Sequence, residues 1–521
     1  SSLIAKALPM PSRLIATLFV LSIASIPESS AAPSFTPMES SISDLQAAMQ
    51  RGETSSVALV DWYTQRITEL DQNGPKLNSI AQLNAKARAD AERLDQERLD
   101  QGPRGPLHGI PILVKDNFHV EGLATTGGSA LFKDFLASED ATLVKRLRDA
   151  GAVILGKTNM HEFAYGITTV GSGFGETRNA YDPDRNPGGS SGGTGAAIAA
   201  NFATVGLGSD TCGSIRIPSA YQALAGLRGT QGSASRSGIM PLSSTQDIGG
   251  PLARSVGDLA IVLDAVTGYD PLDPQTASAY DQLSPGAFSA SLKRGALRGK
   301  RFGLVSELIR VEPFDADMAD RFDEAVDEMR RLGAEFVTVP LTDLDQLIYG
   351  VDGGFHVLMR DFGVDLDAWL EGEPTSPISN LKAIVESQSA HPAVQPLLQA
   401  STQMAAQSSR TYLEELAKRD RLRTMILNVM AANHLDALIY PAVRKRPAFL
   451  GESQPEDNVC QLSANSGLPA MVFPSGFTDD GLPTSIELLG RPWHDAKLLG
   501  FAFDYEQATH HRRPPRYKSA E

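Results

Sequence analysis

Short apolar runs separated by helical stretches constrain this chain more than any other feature. Residues 110–115, 152–155, 203–207, 301–305, 336–339, 438–440, 470–473 and 485–488 are each brief and rich in Val, Ile, Leu, Ala or Phe. Runs of this length suit strands buried on both faces of a sheet. Between them lie amphipathic stretches that read as helices: residues 141–150, stopped by Gly151, and 316–332, followed by Gly333. The alternation predicts an α/β fold, a single large mixed β-sheet covered by helices on both sides. Residues 43–99 read as an outer helical layer, with cap candidates in Ser41-Ile42-Ser43-Asp44 and Thr54-Ser55-Ser56, and residues 375–430 and 496–509 are also expected to be largely helical. The Pro-rich, polar stretch 268–286 reads as a surface loop or hinge. With no internal repeat and no abrupt composition shift, 521 residues are read as one large unit rather than three.

The ends and the balance of residue types narrow the function classes. Lys6 and Arg13 precede an apolar run over residues 14–24, and Ser29-Ser30-Ala31-Ala32 follow it. That pattern predicts a signal peptide over residues 1–32, hence a periplasmic or secreted protein with no stable membrane insertion after cleavage. Sixty-two acidic against 47 basic side chains leave a net charge of −15, which argues against a nucleic-acid partner. Two cysteines, Cys212 and Cys460, exclude a disulfide-rich scaffold and a Cys-based zinc site.

Three motif matches mislead. Residues 151–158 fit the phosphate-binding pattern G-x-x-x-x-G-K-[ST], but the variable positions are Ala, Val, Ile and Leu, which form a strand rather than a phosphate cradle. Gly188-Gly189-Ser190-Ser191-Gly192 fits the nucleophile elbow, yet the polar turn 182–187 stands where an apolar strand is required. His161-Glu162 lacks the second histidine of a zincin, and His510-His511 sits in a basic tail, so no metal is expected.

A spaced constellation remains. Lys115 ends an apolar run, Gly188 to Gly193 follow, and Ser214 lies within Gly208-Ser209-Asp210-Thr211-Cys212-Gly213-Ser214-Ile215-Arg216. With Leu107-His108-Gly109-Ile110-Pro111, Gly156-Lys157-Thr158-Asn159-Met160, residues 171–179, Ser466-Gly467-Leu468-Pro469-Ala470 and Leu489-Gly490-Arg491-Pro492-Trp493, this resembles the amidase signature family from about Ser43 to Thr509. The resemblance implies an amidase domain over residues 33–521, with a signature core at about 107–268. It implies hydrolysis of a carboxylic amide to acid and amine or ammonia through a Ser–cis-Ser–Lys triad, with no cofactor and a small-molecule amide as partner.

In that reading Ser214 forms the acyl-enzyme, Ser190 relays the proton and Lys115 is the base. A serine hydroxyl needs a base, and a lysine serves only where burial keeps its amine neutral. The amides of Thr211, Cys212, Gly213 and Ser214 are expected to surround the developing oxyanion, with Asp210 and Arg216 pairing to brace the loop. Ser191 is assigned to supporting hydrogen bonds and, with Gly189, to substrate binding, and Met160, His161 and Phe163 to the acyl pocket or to ordinary packing. Cys212 reads either as a small residue with an incidental thiol or as a reactive thiol beside Ser214. An esterase or carbamate hydrolase shares the acyl-enzyme, and the glutaminase subunit of an amidotransferase shares the motif around Thr158-Asn159-Met160, opposed by the leader. A catalytically dead binding protein would need a lost triad position, and all three are occupied. Residues 345–450 carry no readable substrate motif, Phe355, Trp369 and Phe449 fit either a pocket or the core, and a homodimer is allowed without a motif behind it.

Overall fold

Eleven strands among the described residues join in one mixed sheet: β1 (Ile80–Leu83), β2 (Pro111–Lys115), β3 (Val153–Thr158), β4 (Val205–Asp210), β5 (Ala225–Arg228), β6 (Ile248–Ala253), β7 (Arg301–Val305), β8 (Glu335–Val339), β9 (Ala437–Pro441), β10 (Ala470–Phe477) and β11 (Pro483–Leu489). This computed structural model describes residues 34–517 apart from 456 and 458, so the expected leader over 1–32 lies outside the described residues. The strand order is β1-β3-β2-β4-β6-β5-β10-β11-β9-β7-β8. Two parallel groups, β3-β2-β4 and β9-β7-β8, flank an antiparallel centre. The mixed α/β class with one large sheet is therefore as the apolar runs predict.

Every residue of β2, β3 and β4 is buried, which is why these segments read as continuous apolar runs rather than alternating ones. β3 runs straight through the false phosphate-binding motif, and its residues pair with both β1 and β2. An amide engaged in a ladder cannot also cradle a phosphate. Lys157, at the motif's lysine, is buried against Asp116 at 2.9 Å and donates to the Ala124 carbonyl at 2.9 Å.

Three strands escape the sequence reading. β1 interrupts the expected helical layer, between helices Ser56–Leu70 and Ala87–Gln101. β5 and β6 are built from Ala-Gly-Leu-Arg and Ile-Gly-Gly-Pro-Leu-Ala, poor in β-branched residues. Their ladders with β4 and β10 supply what local propensity lacks. β4 likewise extends to Asp210, three residues past the expected end, because its antiparallel register with β6 runs to Asp210–Ile248. The segment with Ser214 therefore leaves the sheet directly from a strand end.

The helix Gly192–Ala199 begins four residues earlier than expected and is buried throughout. Its glycines are needed for closeness: a Cβ at Gly193 would lie 2.1 Å from the Asn159 carbonyl oxygen, and one at Gly192 would lie 2.1 Å from the Thr169 hydroxyl. The helices Ala316–Arg331 and Asp495–Thr509 fall where periodicity places them, and His511, read as solvated, instead lies 2.9 Å from Glu328. Among the described residues no helix is long and apolar enough to cross a membrane.

Candidate active site

Lys115 ends β2, beside β4 in parallel register, and is fully buried. Its ammonium nitrogen lies 2.6 Å from the Ser190 hydroxyl and 2.9 Å from the Ser209 hydroxyl, with the Ser209 carbonyl at 3.4 Å. Burial lowers this amine from 10.5 to about 7, against the pull of the Asp210 and Asp247 carboxylates. Lysine here titrates near neutrality, as a proton acceptor must. Ser190 follows a cis peptide bond after Gly189. Its carbonyl accepts from the His161 amide at 3.1 Å, and a Cβ at Gly189 would meet the Ile167 carbonyl carbon at 2.8 Å. The Ser190 hydroxyl is thereby held against Lys115 by backbone packing on both sides.

Ser191 stands behind this pair. Its hydroxyl donates to the Ser209 carbonyl at 3.1 Å and its amide to the Ser214 carbonyl at 3.2 Å, tying the Gly/Ser segment to β4 and to the Ser214 loop. Neither Ser191 nor Gly189 lines the cavity that Ser214 borders. Ser214 is 4 % exposed, and its hydroxyl has no protein hydrogen-bond partner among the described residues. It lines a cavity of about 180 Å³.

The loop from Asp210 to Arg216 is braced from beneath. Asp210 accepts from the amides of Gly213 at 2.9 Å and Ile215 at 3.1 Å, and pairs with Arg216 at 3.1 Å and Arg228 at 3.1 Å. Burial pushes the Asp210 carboxyl up, but Arg216 and Arg228 outweigh it and hold it well below the ordinary range. Arg216 also meets Glu487 at 3.1 Å, reaching across to β11. The Gly213 amide, expected among the oxyanion donors, is therefore committed to Asp210. The amides of Thr211, Cys212 and Ser214 have no protein acceptor among the described residues, which leaves three of the four expected donors. Gly213 sits at φ +88°, the left-handed geometry that lets consecutive amides converge. Thr211 is pinned from outside the cavity by its hydroxyl donating to Asp247 at 2.6 Å.

Cys212 is neither an incidental nor a reactive thiol: it forms a disulfide with Cys460, 248 residues away. Both half-cystines line the Ser214 cavity, with Tyr165, Ile167, Ile217, Phe355, Leu358, Met359 and Leu397. Asp352 and Asp457 are the charged residues of that lining, and no lysine, arginine or histidine belongs to it. Met160 and Phe163, carried as pocket candidates, are buried in the core cluster behind this wall and do not line it. His161 borders an adjoining cavity that shares Tyr165, Gly166, Ile167 and Leu397. Burial pushes its imidazole down to about 3, so it is neutral, and Nδ1 accepts from the Thr169 amide at 3.1 Å. Of the three aromatic residues left open, Phe355 lines the Ser214 cavity and Phe449 the adjoining one, while Trp369 stacks on His119 and lines a further cavity with Asn117, Ser209 and Thr211.

Sequence reasoning missed Ser209, Asn117 and Asp247. Asn117 donates to the Ser209 hydroxyl at 2.9 Å and so completes the polar surroundings of Lys115. Ser209 falls inside the quoted segment around Ser214 and Asn117 lies two residues after Lys115, so a positional signal was present; Asp247 lies in an ordinary polar turn and carried none.

The Amidase family model matches residues 58–499. A glutamyl-tRNA(Gln) amidotransferase subunit of Trichlorobacter lovleyi is 35% identical over 489 residues, covering 90% of this chain and 97% of that protein. The native peptide amidase structure from Stenotrophomonas maltophilia matches with a TM-score of 0.81 and 36% identity, covering 92% and 99% of the two chains. An amidase family protein from Bacillus anthracis matches with a TM-score of 0.83 and 28% identity, covering 92% and 93%. These relatives overturn the expectation of a periplasmic or secreted enzyme. Several are subunits of an enzyme named for a tRNA-linked substrate, which belongs to the cytoplasm, and the leader that carried the expectation lies outside the described residues.

Proposed function

The chain belongs to the Amidase family and is a hydrolase of amide carbon–nitrogen bonds, and on that premise we propose that it cleaves small carboxylic amides through an acyl-enzyme on Ser214. The observation that carries this reading is the buried Lys115 amine at 2.6 Å from Ser190, whose neighbour Ser191 is hydrogen-bonded to Ser214. Neutral Lys115 takes the Ser190 proton as Ser190 takes that of Ser214. The Ser214 oxygen then bonds to the amide carbon, and the carbonyl oxygen becomes an oxyanion facing the amides of Thr211, Cys212 and Ser214. Collapse breaks the carbon–nitrogen bond, and the relay returns its proton to the leaving amine. Water, deprotonated by the same relay, then releases the acid and restores Ser214.

The cavity lining supports a reading of the acyl group. Apolar walls with two carboxylates and no cation favour an apolar, uncharged or cationic acyl chain and repel an anionic one. A second reading, the glutamine-hydrolysing component of an amidotransferase, draws its support from the amidotransferase relatives at 35% identity. It needs a partner for the glutamine α-carboxylate that this lining does not contain. A panel of apolar carboxamides, C-terminal peptide amides, glutamine and matching esters and carbamates, run on wild type and Ser214→Ala, separates the readings. Preference for apolar amides, lost in Ser214→Ala, is expected. Preference for glutamine would establish the second reading, and unchanged turnover in Ser214→Ala would end the acyl-enzyme mechanism.

A further inference from the structure

Cys212 lies at the centre of the three amides assigned to the oxyanion, yet it is the loop residue with the least support. Thr211 is held by its hydroxyl on Asp247 and by its carbonyl, which accepts from Gln246 at 3.0 Å and Arg228 at 3.4 Å. Gly213 is held by its amide on Asp210 and by its carbonyl, which accepts from the Ile217 amide at 2.6 Å. Neither backbone group of Cys212 makes a hydrogen bond to protein among the described residues. Its one direct tether is the disulfide to Cys460.

The other end of that tether is firm. Cys460 caps the helix Gln461–Ser466, and its carbonyl accepts from the Ala464 amide at 3.2 Å and from Arg216 at 3.2 Å. Arg216 is itself locked between Asp210 and Glu487. The disulfide therefore ties the middle of the loop to the same buried network that holds its two ends.

We propose that the Cys212–Cys460 disulfide is a positioning pair for the oxyanion loop, and that it is reached through the acyl cavity, so that reduction lowers turnover and an occupied cavity protects against it. The proposal rests on the Ser214 reading. Access follows from placement: both half-cystines line the cavity with Ser214, Cys212 being buried and Cys460 partly exposed. A dithiol reductant that enters where substrate enters meets both. Its thiolate attacks one sulfur and breaks the disulfide, its second thiol resolves the mixed disulfide, and two protein thiols and one cyclic oxidised dithiol result.

The pair acts through the amides rather than on substrate, so its loss should fall on kcat. Removing a whole oxyanion donor costs about 10²–10³ in kcat, and loosening one without removing it should cost about 10–100-fold. The test is steady-state kinetics on an apolar carboxamide before and after dithiothreitol treatment, with free thiols counted by mass spectrometry and folding followed by circular dichroism. Expected are no free thiols as purified, two after reduction, kcat lower by about 10–100-fold, KM within about threefold and an unchanged spectrum. Reoxidation should restore kcat, and Cys460→Ser should show the low kcat and be indifferent to dithiothreitol. Sulfonylating Ser214 with phenylmethylsulfonyl fluoride, whose ring would enter the cavity, should slow thiol release by at least about tenfold relative to the unmodified enzyme. Two free thiols with unchanged kcat, a rise in KM alone, loss of the folded spectrum along with activity, or thiol release indifferent to sulfonylation would each overturn the proposal. Activity retained in Ser214→Ala would instead end the Ser214 reading, and thiol counting distinguishes the two failures because it needs no turnover.

Discussion

Replacing Lys115 with Met should destroy activity and at the same time relieve a pH-dependent burden on the fold. The two effects share one cause. The folded protein keeps this amine dry, with a pKa of about 7 in place of 10.5. The unfolded chain binds a proton there up to the ordinary lysine value, so between about pH 7 and 10.4 it holds more protons than the folded protein. Stability from this group therefore rises with pH across that window and is lowest below it. Linkage between those two pKa values makes wild type gain about 2–3 kcal/mol from pH 6 to pH 9 relative to a variant with no amine. The methionine also strands the Ser190 hydroxyl, at about 1–2 kcal/mol, while Ser209 keeps its bond from Asn117, and that cost does not depend on pH.

The assay is urea denaturation of wild type and Lys115→Met at several pH values, beside kcat/KM profiles of the wild type. The stability difference should close, or change sign in favour of wild type, as pH rises. kcat/KM should climb about tenfold per pH unit below 7 and level off above about 8, with Lys115→Met at least about 10³-fold below the plateau. A stability difference independent of pH, or an acid limb centred far from neutrality, would refute the argument that burial makes Lys115 the base.

Asp247, which burial pushes up to about 6 and which raises the Lys115 pKa, should act on the same limb. Asp247→Asn should move the midpoint of the wild-type limb to lower pH and, by weakening the hold on Thr211, lower the plateau about tenfold, both read from the same profiles. Gly213→Ala would place a Cβ 2.7 Å from Ile217 and 3.1 Å from Cys460 at φ +88°. It should cost at least about 1–3 kcal/mol in denaturation and most of kcat. Asp210→Asn would leave Arg216 and Arg228 buried with a weakened counter-charge, and denaturation should show a loss of about 3–5 kcal/mol even though Asp210 touches no substrate.

These substitutions also mark how far the sequence could be read. Lys115, Ser190 and Ser214 were legible because each sits in a segment whose composition has a local reason: an apolar run ending in a charge, or small residues where the chain must pass close to itself. The order of strands was not, since β5 and β6 acquire their state from partners far along the chain rather than from their own residues. The fate of Gly213 follows the same division. Its presence in the loop is visible in the sequence, but that its amide is spent on Asp210, leaving Thr211, Cys212 and Ser214, depends on where a buried carboxylate sits between two arginines. Cys212 is the extreme case: its neighbours suggest a thiol, and only a residue 248 positions away makes it a tether. Local chemistry therefore names the candidate groups, whereas non-local packing decides which of them are free to act. If that division holds, substitutions distant in sequence but joined to the loop, such as Cys460→Ser and Glu487→Gln, should lower kcat as surely as changes beside Ser214. The same changes made at equally buried positions outside this network should alter stability alone.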